Sequence, residues 1–215
     1  MNSHSDRFAP TSEAEVVRLI HESPLAWIVT MTDADFRATA LPLRPIVGGD
    51  SSLSAFKGHF AQSNDHHHML RDHPRALLLF MGVNGYVSPS CMHDRTQAPT
   101  WNYASAQFLV DIEFIGDAPG RDAVLEDLVN VMEAGREKAW RAAEMGARYA
   151  QLANRIVAFR ANIVQRRVKF KLGQDERDDV YADICSAMDA DNPDLSAWMK
   201  RANTHRTVHK GPIRP

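Results

Sequence analysis

Between Leu25 and Phe60 the chain runs through three short β-rich segments joined by connections of only a few residues. LAWIVTMT is followed by the turn Thr32-Asp33-Ala34-Asp35, FRATALPLRPIV by Gly48-Gly49-Asp50, and SLSAFKGHF closes the series. β-Branched and aromatic residues suit a pleated surface, and the polar clusters between them punctuate it. Links this short join antiparallel neighbours, because a parallel crossover needs a dozen or more residues. The segment therefore predicts an antiparallel meander and argues against βαβ units.

The rest of the chain keeps the same grammar. Ahead of the first strand, Ser12 and Glu15 form a capping-box pattern before the helically spaced Val16, Val17, Leu19 and Ile20, and Ser23-Pro24 ends that helix. RALLLFMG predicts a central strand buried on both faces, with a turn at Asn84-Gly85 after it. WNYASAQFLVDIEFIG predicts a long strand in which Phe108, Val110, Ile112 and Phe114 alternate with polar or outward positions. Asp117 and Pro119 open a helix faced by Val124, Leu125, Leu128, Val129 and Met132, and a second helix is expected from Glu137 to Gln151. RIVAFRANIVQRRVKFKL returns to strand spacing, and a helix follows around Asp178 to Met188. The expected fold class is α+β and predominantly β: an antiparallel barrel with peripheral helices. Residues 1–10 are expected to be a flexible arm, 11–190 one domain, and 191–215 a C-terminal helix with a basic tail.

Charge and motif content narrow the chemistry. Residues 200–215 hold five cations and no acid, which leaves 20 cations against 27 acids in residues 1–199, a net charge of −7. An acidic body does not attract nucleic acid over its whole surface. The N-terminus lacks a secretory pattern, no apolar run is long enough to span a bilayer, and Cys91 and Cys185 form no CxxC pair. Those features predict a cytoplasmic protein with no membrane partner. No GxSxG, GxGxxG or P-loop motif is present. His66, His67 and His68 project about 100° apart on a helix, so at most one or two could share a site; the expectation is a solvated polar segment and no metal. Arg155 to Lys171 holds six cations and no acid, and Arg167, Lys169 and Lys171 share one face of a strand.

The densest chemistry lies between Ala55 and Tyr103. Gly58 stands beside His59 at a strand end, followed by small and amide side chains; GYVSPS carries Ser88 and Ser90; PTWNY carries Thr100 and Asn102 with two aromatic rings. Hydroxyls, amides and close backbone approach suit the phosphate and ring edges of a flavin, and they equally suit turns with core aromatics. No residue stands out as catalytic.

The ordered motifs ATALPL (38–43), GHFAQSN (58–64), GYVSPS (85–90), PTWNY (99–103) and KFKLGQ (169–174) resemble those of the PaiB-like FMN-binding negative transcriptional regulators. The resemblance implies a split β-barrel of the pyridoxamine 5′-phosphate oxidase-like kind, a homodimer, and FMN in a cleft between subunits. It places Thr39, Pro42, Gly58, His59, Ala61 and Asn64 near the flavin. Ser88 and Pro89 would line a loop, Trp101 and Asn102 an opposite wall, and Lys171 and Gln174 would come from the late segment. Four places depart from the family pattern: Ala40 stands for a histidine, Gln62 for an arginine, Asp65 for a proline and Cys91-Met92 for Trp-Tyr. With that arginine gone, Lys57, Arg37 and Arg44 are the neighbouring cations expected to meet a phosphate. Two other activities follow from the same resemblance: an oxidoreductase using NAD(P)H and a small substrate, and a divergent member that binds another ligand. Direct DNA binding ranks lower, since DDVYADICSAMD, the helix that ends the expected domain, is acidic.

Overall fold

A computed structural model describes residues 7–206. Seven strands form one sheet: β1 (Leu25–Met31), β2 (Phe36–Pro42), β3 (Arg44–Val47), β4 (Leu53–Ala61), β5 (Arg75–Val87), β6 (Thr100–Phe114) and β7 (Ile156–Lys171). The helices are α1 (Glu13–Glu22), α2 (His66–Asp72), α3 (Ala118–Glu133), α4 (Arg148–Ala153), α5 (Asp178–Asp191) and α6 (Pro193–Ala202). The strand order is β2-β1-β5-β6-β7-β4-β3. β2 and β5 both pair antiparallel with β1, and β3 and β7 pair antiparallel with β4.

The single strand expected over FRATALPLRPIV is two strands. Leu43 interrupts it: its side chain is buried and its N–H donates to Pro24 O at 2.9 Å. Before Leu43 the chain pairs with β1, and after it with β4. β2 and β3 thus stand at opposite ends of the strand order with one residue between them. A sheet whose two ends are tied by one residue must curl back on itself, and the edges do not pair there. This is the antiparallel split β-barrel, α+β and mainly β.

The described residues fall into two compact units. The first comprises residues 13–80 and 106–167. Its core is aromatic: Phe56 lies 5.4 Å from Phe80 and 4.8 Å from Phe108, ring centre to ring centre, and Phe60 lies 5.1 Å from Phe159. Each such ring contributes about 1.5–3 kcal/mol through burial. α1 adds Val16, Leu19 and Ile20 to this core. The Glu13 carboxylate, at its start, accepts from Leu53 N at 3.0 Å and from Arg166 Nη1 at 2.6 Å. The expected helix from Glu137 to Gln151 is instead a 3-10 turn at Ala142–Met145 followed by α4, because Gly146 takes φ +54° and breaks the run.

The second unit comprises residues 7–12, 81–105 and 168–206. α5 and α6 supply its core with Val180, Ile184, Met188, Leu195 and Met199, and the Phe170 and Trp198 rings meet edge-on at 5.4 Å. Phe170 N donates to Phe8 O at 2.8 Å, which ties the first described residues to β7. The turn expected at Asn84-Gly85 is absent: β5 runs through to Val87. Gly85 serves packing, since a Cβ there would stand 2.7 Å from Leu195 Cδ2. The expected basic tail beyond Arg206, with Lys210 and Arg214, lies outside the described residues, as does the arm before Arg7. Among the described residues no helix is long and apolar enough to cross a membrane.

Candidate functional site

In the first unit, β2 and the turn into α2 bring polar groups together under the barrel edge. β2 alternates, with Phe36, Ala38 and Ala40 exposed on one face and Arg37 and Thr39 half-buried on the other. Thr39 Oγ1 lies 2.9 Å from His66 Nδ1 and accepts from Asn64 Nδ2 at 3.3 Å. Asn64 Oδ1 in turn accepts from His66 N at 3.0 Å, so one amide meets both the first N–H of α2 and the threonine. His66 Nε2 lies 3.0 Å from Thr30 Oγ1. Burial, with the Arg37 charge next and Asp65 opposing, lowers the His66 pKa.

The expectation of a solvated histidine run is therefore wrong for two of its members. His66 and His67 are buried, at 0% and 3% exposure; only His68 is open to solvent. His67 Nε2 meets Gln62 O at 3.1 Å, and both rings pack near Phe60. Among the described residues no group of three or more His, Cys, Asp or Glu is placed to hold a metal ion.

The remaining expected positions of this unit divide. His59 is half-buried; its Nδ1 is buried without a hydrogen-bond partner, and burial lowers its pKa. Ala61 is exposed and Pro42 half-buried. Gly58 points into the core: a Cβ there would lie 2.6 Å from Leu43 Cδ2 and 3.0 Å from Phe159 Cζ. Its missing side chain makes room for this chain's own leucine and phenylalanine. The three nearby cations are each matched by a carboxylate. Arg37 meets Asp35 and, at 3.5 Å, Asp65. Buried Arg44 donates to Asp127 at 3.2 Å and lies 2.8 Å from His21 Nδ1, and Lys57 reaches the other Asp127 oxygen at 3.2 Å.

In the second unit, Lys171 Nζ donates to Thr100 Oγ1 and, at 3.3 Å, to Trp101 O. Among the described residues it forms no ion pair. The Trp101 ring is 53% exposed and lies 6.1 Å from that of Tyr86. Asn102 does not join it: successive strand residues face opposite ways, and Asn102 is buried with its Nδ2 3.5 Å from Met199 Sδ. Trp101 and Asn102 therefore cannot wall one slot side by side. The Gln174 amide is spent on the backbone, accepting from Leu172 N at 2.7 Å and donating to Phe170 O at 2.6 Å around Gly173 at φ +82°. Ser88 and Pro89 open a 3-10 turn in which Ser88 Oγ accepts from Ser90 N at 3.1 Å. Cys91 donates to Ser88 O, and burial raises its pKa, which keeps it a thiol. Cys185 is buried.

Sequence reasoning missed His66 and Thr30. One signal was available: Thr30 shares strand parity with buried Ala26 and Ile28, and a buried hydroxyl needs a partner.

A family model described as "Putative FMN-binding domain" matches residues 4–165. Among solved structures, an FAD- and heme-binding protein from Mycobacterium smegmatis is 19% identical, with a TM-score of 0.56, over 75% of this chain and 72% of that one. A flavocytochrome from Azotobacter vinelandii is 16% identical, with a TM-score of 0.59, over 79% of this chain and 72% of that one. A conserved hypothetical protein from Mycobacterium tuberculosis is 15% identical, with a TM-score of 0.56, over 80% of this chain and 93% of that one. At these identities the likeness is one of fold. Among curated proteins none matches significantly.

Proposed function

Because the chain belongs to this FMN-binding domain family, matched over residues 4–165, we propose that it is a homodimeric FMN-binding protein of the PaiB-like negative-regulator kind, with its flavin held between subunits. Each unit, taken by itself, carries donors of the kind the cofactor takes. Thr39, Asn64 and the half-buried His59 side chain offer polar contacts to a ring edge or phosphate oxygen. Lys171 offers the positive charge: its hydrogen-bond partners are a hydroxyl and a carbonyl, and the Glu176 carboxylate acts on it only through charge, without an ion-pair contact. Exposed Trp101 offers a ring face, and Pro42, Ala61, Ser88 and Pro89 have surface that a ligand can reach. Gly58, Asn102 and Gln174 act from behind, by packing and by shaping the backbone. When bound, FMN supplies one- and two-electron transfer, and the residues named here bind and orient it.

The observation that supports the dimer is the outer face of β1 and β2. Register pairs Leu25 with Pro42, Trp27 with Ala40, Val29 with Ala38 and Met31 with Phe36, and paired residues share a face. All eight are apolar, and Trp27, Met31 and Phe36 are 53%, 81% and 69% exposed. A contiguous exposed apolar face marks a surface that is covered in use, and the dimer reading covers it with a second copy of the chain. DNA contact finds less support, because α5 opens with Asp178 and Asp179.

Titration with FMN tests the reading. Saturable quenching of flavin fluorescence and a retained flavin absorption band are expected, together with twice the chain mass by light scattering and loss of that dimer in Trp27→Asp. No uptake in excess FMN would defeat it.

A further inference from the structure

We propose that His66 is a positioning residue that holds the Thr39 hydroxyl as an outward hydrogen-bond donor, so that the site selects a ligand presenting an acceptor oxygen at that point. The inference rests on the FMN reading and adds which way the bond must run.

It follows from accounting for every proton in the cluster. Among the described residues, the Thr30 hydroxyl is buried and its partner is His66 Nε2, 3.0 Å away. A buried hydroxyl proton left without an acceptor costs about 1–3 kcal/mol. The Thr30 O–H therefore donates to Nε2, which must be the bare nitrogen of a neutral ring. The proton of that ring then sits on Nδ1 and donates to Thr39 Oγ1 at 2.9 Å. Asn64 Nδ2 donates to the same oxygen at 3.3 Å. Both Thr39 lone pairs are thus occupied, and what remains is its own O–H. The reverse tautomer would strand the Thr30 proton in the core. The neutral ring agrees with the burial that lowers the His66 pKa. Thr39 is half-buried, so the hydroxyl stays within reach of a ligand. A phosphate oxygen or a carbonyl oxygen of the flavin ring satisfies this donor; an N–H group would not.

Two measurements decide it. In the whole protein, imidazole nitrogen NMR is expected to show His66 with a protonated Nδ1 and a pyridine-like Nε2; the opposite pattern overturns the assignment whether or not FMN binds. In FMN titrations, Thr39→Val is expected to weaken binding about tenfold, the size of one hydrogen bond to a charged or strongly polar acceptor. His66→Leu is expected to weaken it about threefold or more, while the double variant binds no worse than Thr39→Val alone, because His66 acts through that hydroxyl. Additive losses would overturn the positioning role. His66→Asn keeps an N–H near the Nδ1 position and should restore affinity to within about twofold of the parent; it serves also if the leucine variant does not fold. Riboflavin in place of FMN separates the sources: a Thr39→Val effect that persists assigns the ring carbonyl, and one that vanishes assigns the phosphate. If the parent takes up no FMN, the flavin reading fails and the NMR result still judges the donor assignment.

Discussion

Arg177, Lys200 and Arg206 of the second unit face carboxylates, as the cations of the first unit do, but the cations nearest the family motifs differ between the units. In the first, Arg37, Arg44 and Lys57 are all matched by carboxylates, and Arg44 is buried as it is. In the second, Lys171 rests on a hydroxyl and a carbonyl. A cation already facing a carboxylate has little left for a phosphate, since binding would only exchange one anion for another. A cation whose hydrogen-bond partners are neutral, with a carboxylate such as Glu176 acting only at a distance, keeps more of its charge for a phosphate. The difference teaches that nearness of Arg or Lys in sequence to a family motif says little about phosphate binding; what each cation already faces decides it.

Arg44→Met should show the largest effect of that contrast, and it should be on folding. Removing Arg44 leaves Asp127, about a third exposed, with Lys57 alone and frees His21 Nδ1. A loss of about 2–3 kcal/mol of unfolding free energy is expected by chemical denaturation, since the buried Arg44 side chain and its bonds to Asp127 and His21 are lost together while Asp127 keeps only the half-buried Lys57. FMN affinity of the folded fraction should hardly change. Lys171→Met should invert the pattern: FMN binding weakens by roughly 2 kcal/mol, about thirtyfold in a fluorescence titration, with the unliganded melting temperature nearly constant. Equal FMN losses from both substitutions would break the comparison.

Acid should act on the first unit. Arginine always donates, so His21 Nδ1 must accept from Arg44, and protonation of His21 destroys that bond. Burial, then the Arg44 charge, lowers the His21 pKa; burial lowers those of His59 and His66 as well. A histidine whose folded pKa is depressed binds protons more readily when unfolded, so its stabilising contribution is complete above about pH 6.5 and is lost as pH falls below it. The urea midpoint should therefore decline from pH 7 to pH 5, and His21→Gln should flatten part of that decline.

What the sequence made legible follows the same division between local and distant causes. The strands LAWIVTM and SAQFLVDIEF were readable because their alternation is a local pattern, and Asp117 was readable as a cap because it accepts from Gly120 three residues on. The break at Leu43 was not, because LPLRP looks continuous and only pairing with β1 on one side and β4 on the other divides it. Asn84-Gly85 looks like a turn by composition, yet Leu195, more than a hundred residues away, presses on that glycine. His66 and His67 belong to a polar run that no local rule buries; Thr30 and Thr39 on separate strands enclose His66. The candidate site was legible as motifs. Which motif residues point outward was not, because Gly58, Asn102 and Gln174 are turned inward by neighbours far along the chain.

The smallest expected effect is a gain. Asp65 sits at 3.5 Å from Arg37 Nε with its own side chain 71% exposed. Exposed pairs of this length contribute under about 1 kcal/mol, so Asp65→Asn should leave stability within about 0.5 kcal/mol of the parent. The substitution also removes one negative charge beside Thr39 and Asn64, where the flavin reading puts an anionic ligand. Arg37 keeps Asp35, so it is released only in part. FMN affinity should therefore rise, by about twofold at low salt, and the gain should shrink as added salt screens the exposed charge. A similar gain with riboflavin, which lacks the phosphate, would show that the charge of Asp65 was not the cause and that the first unit does not meet the phosphate at all.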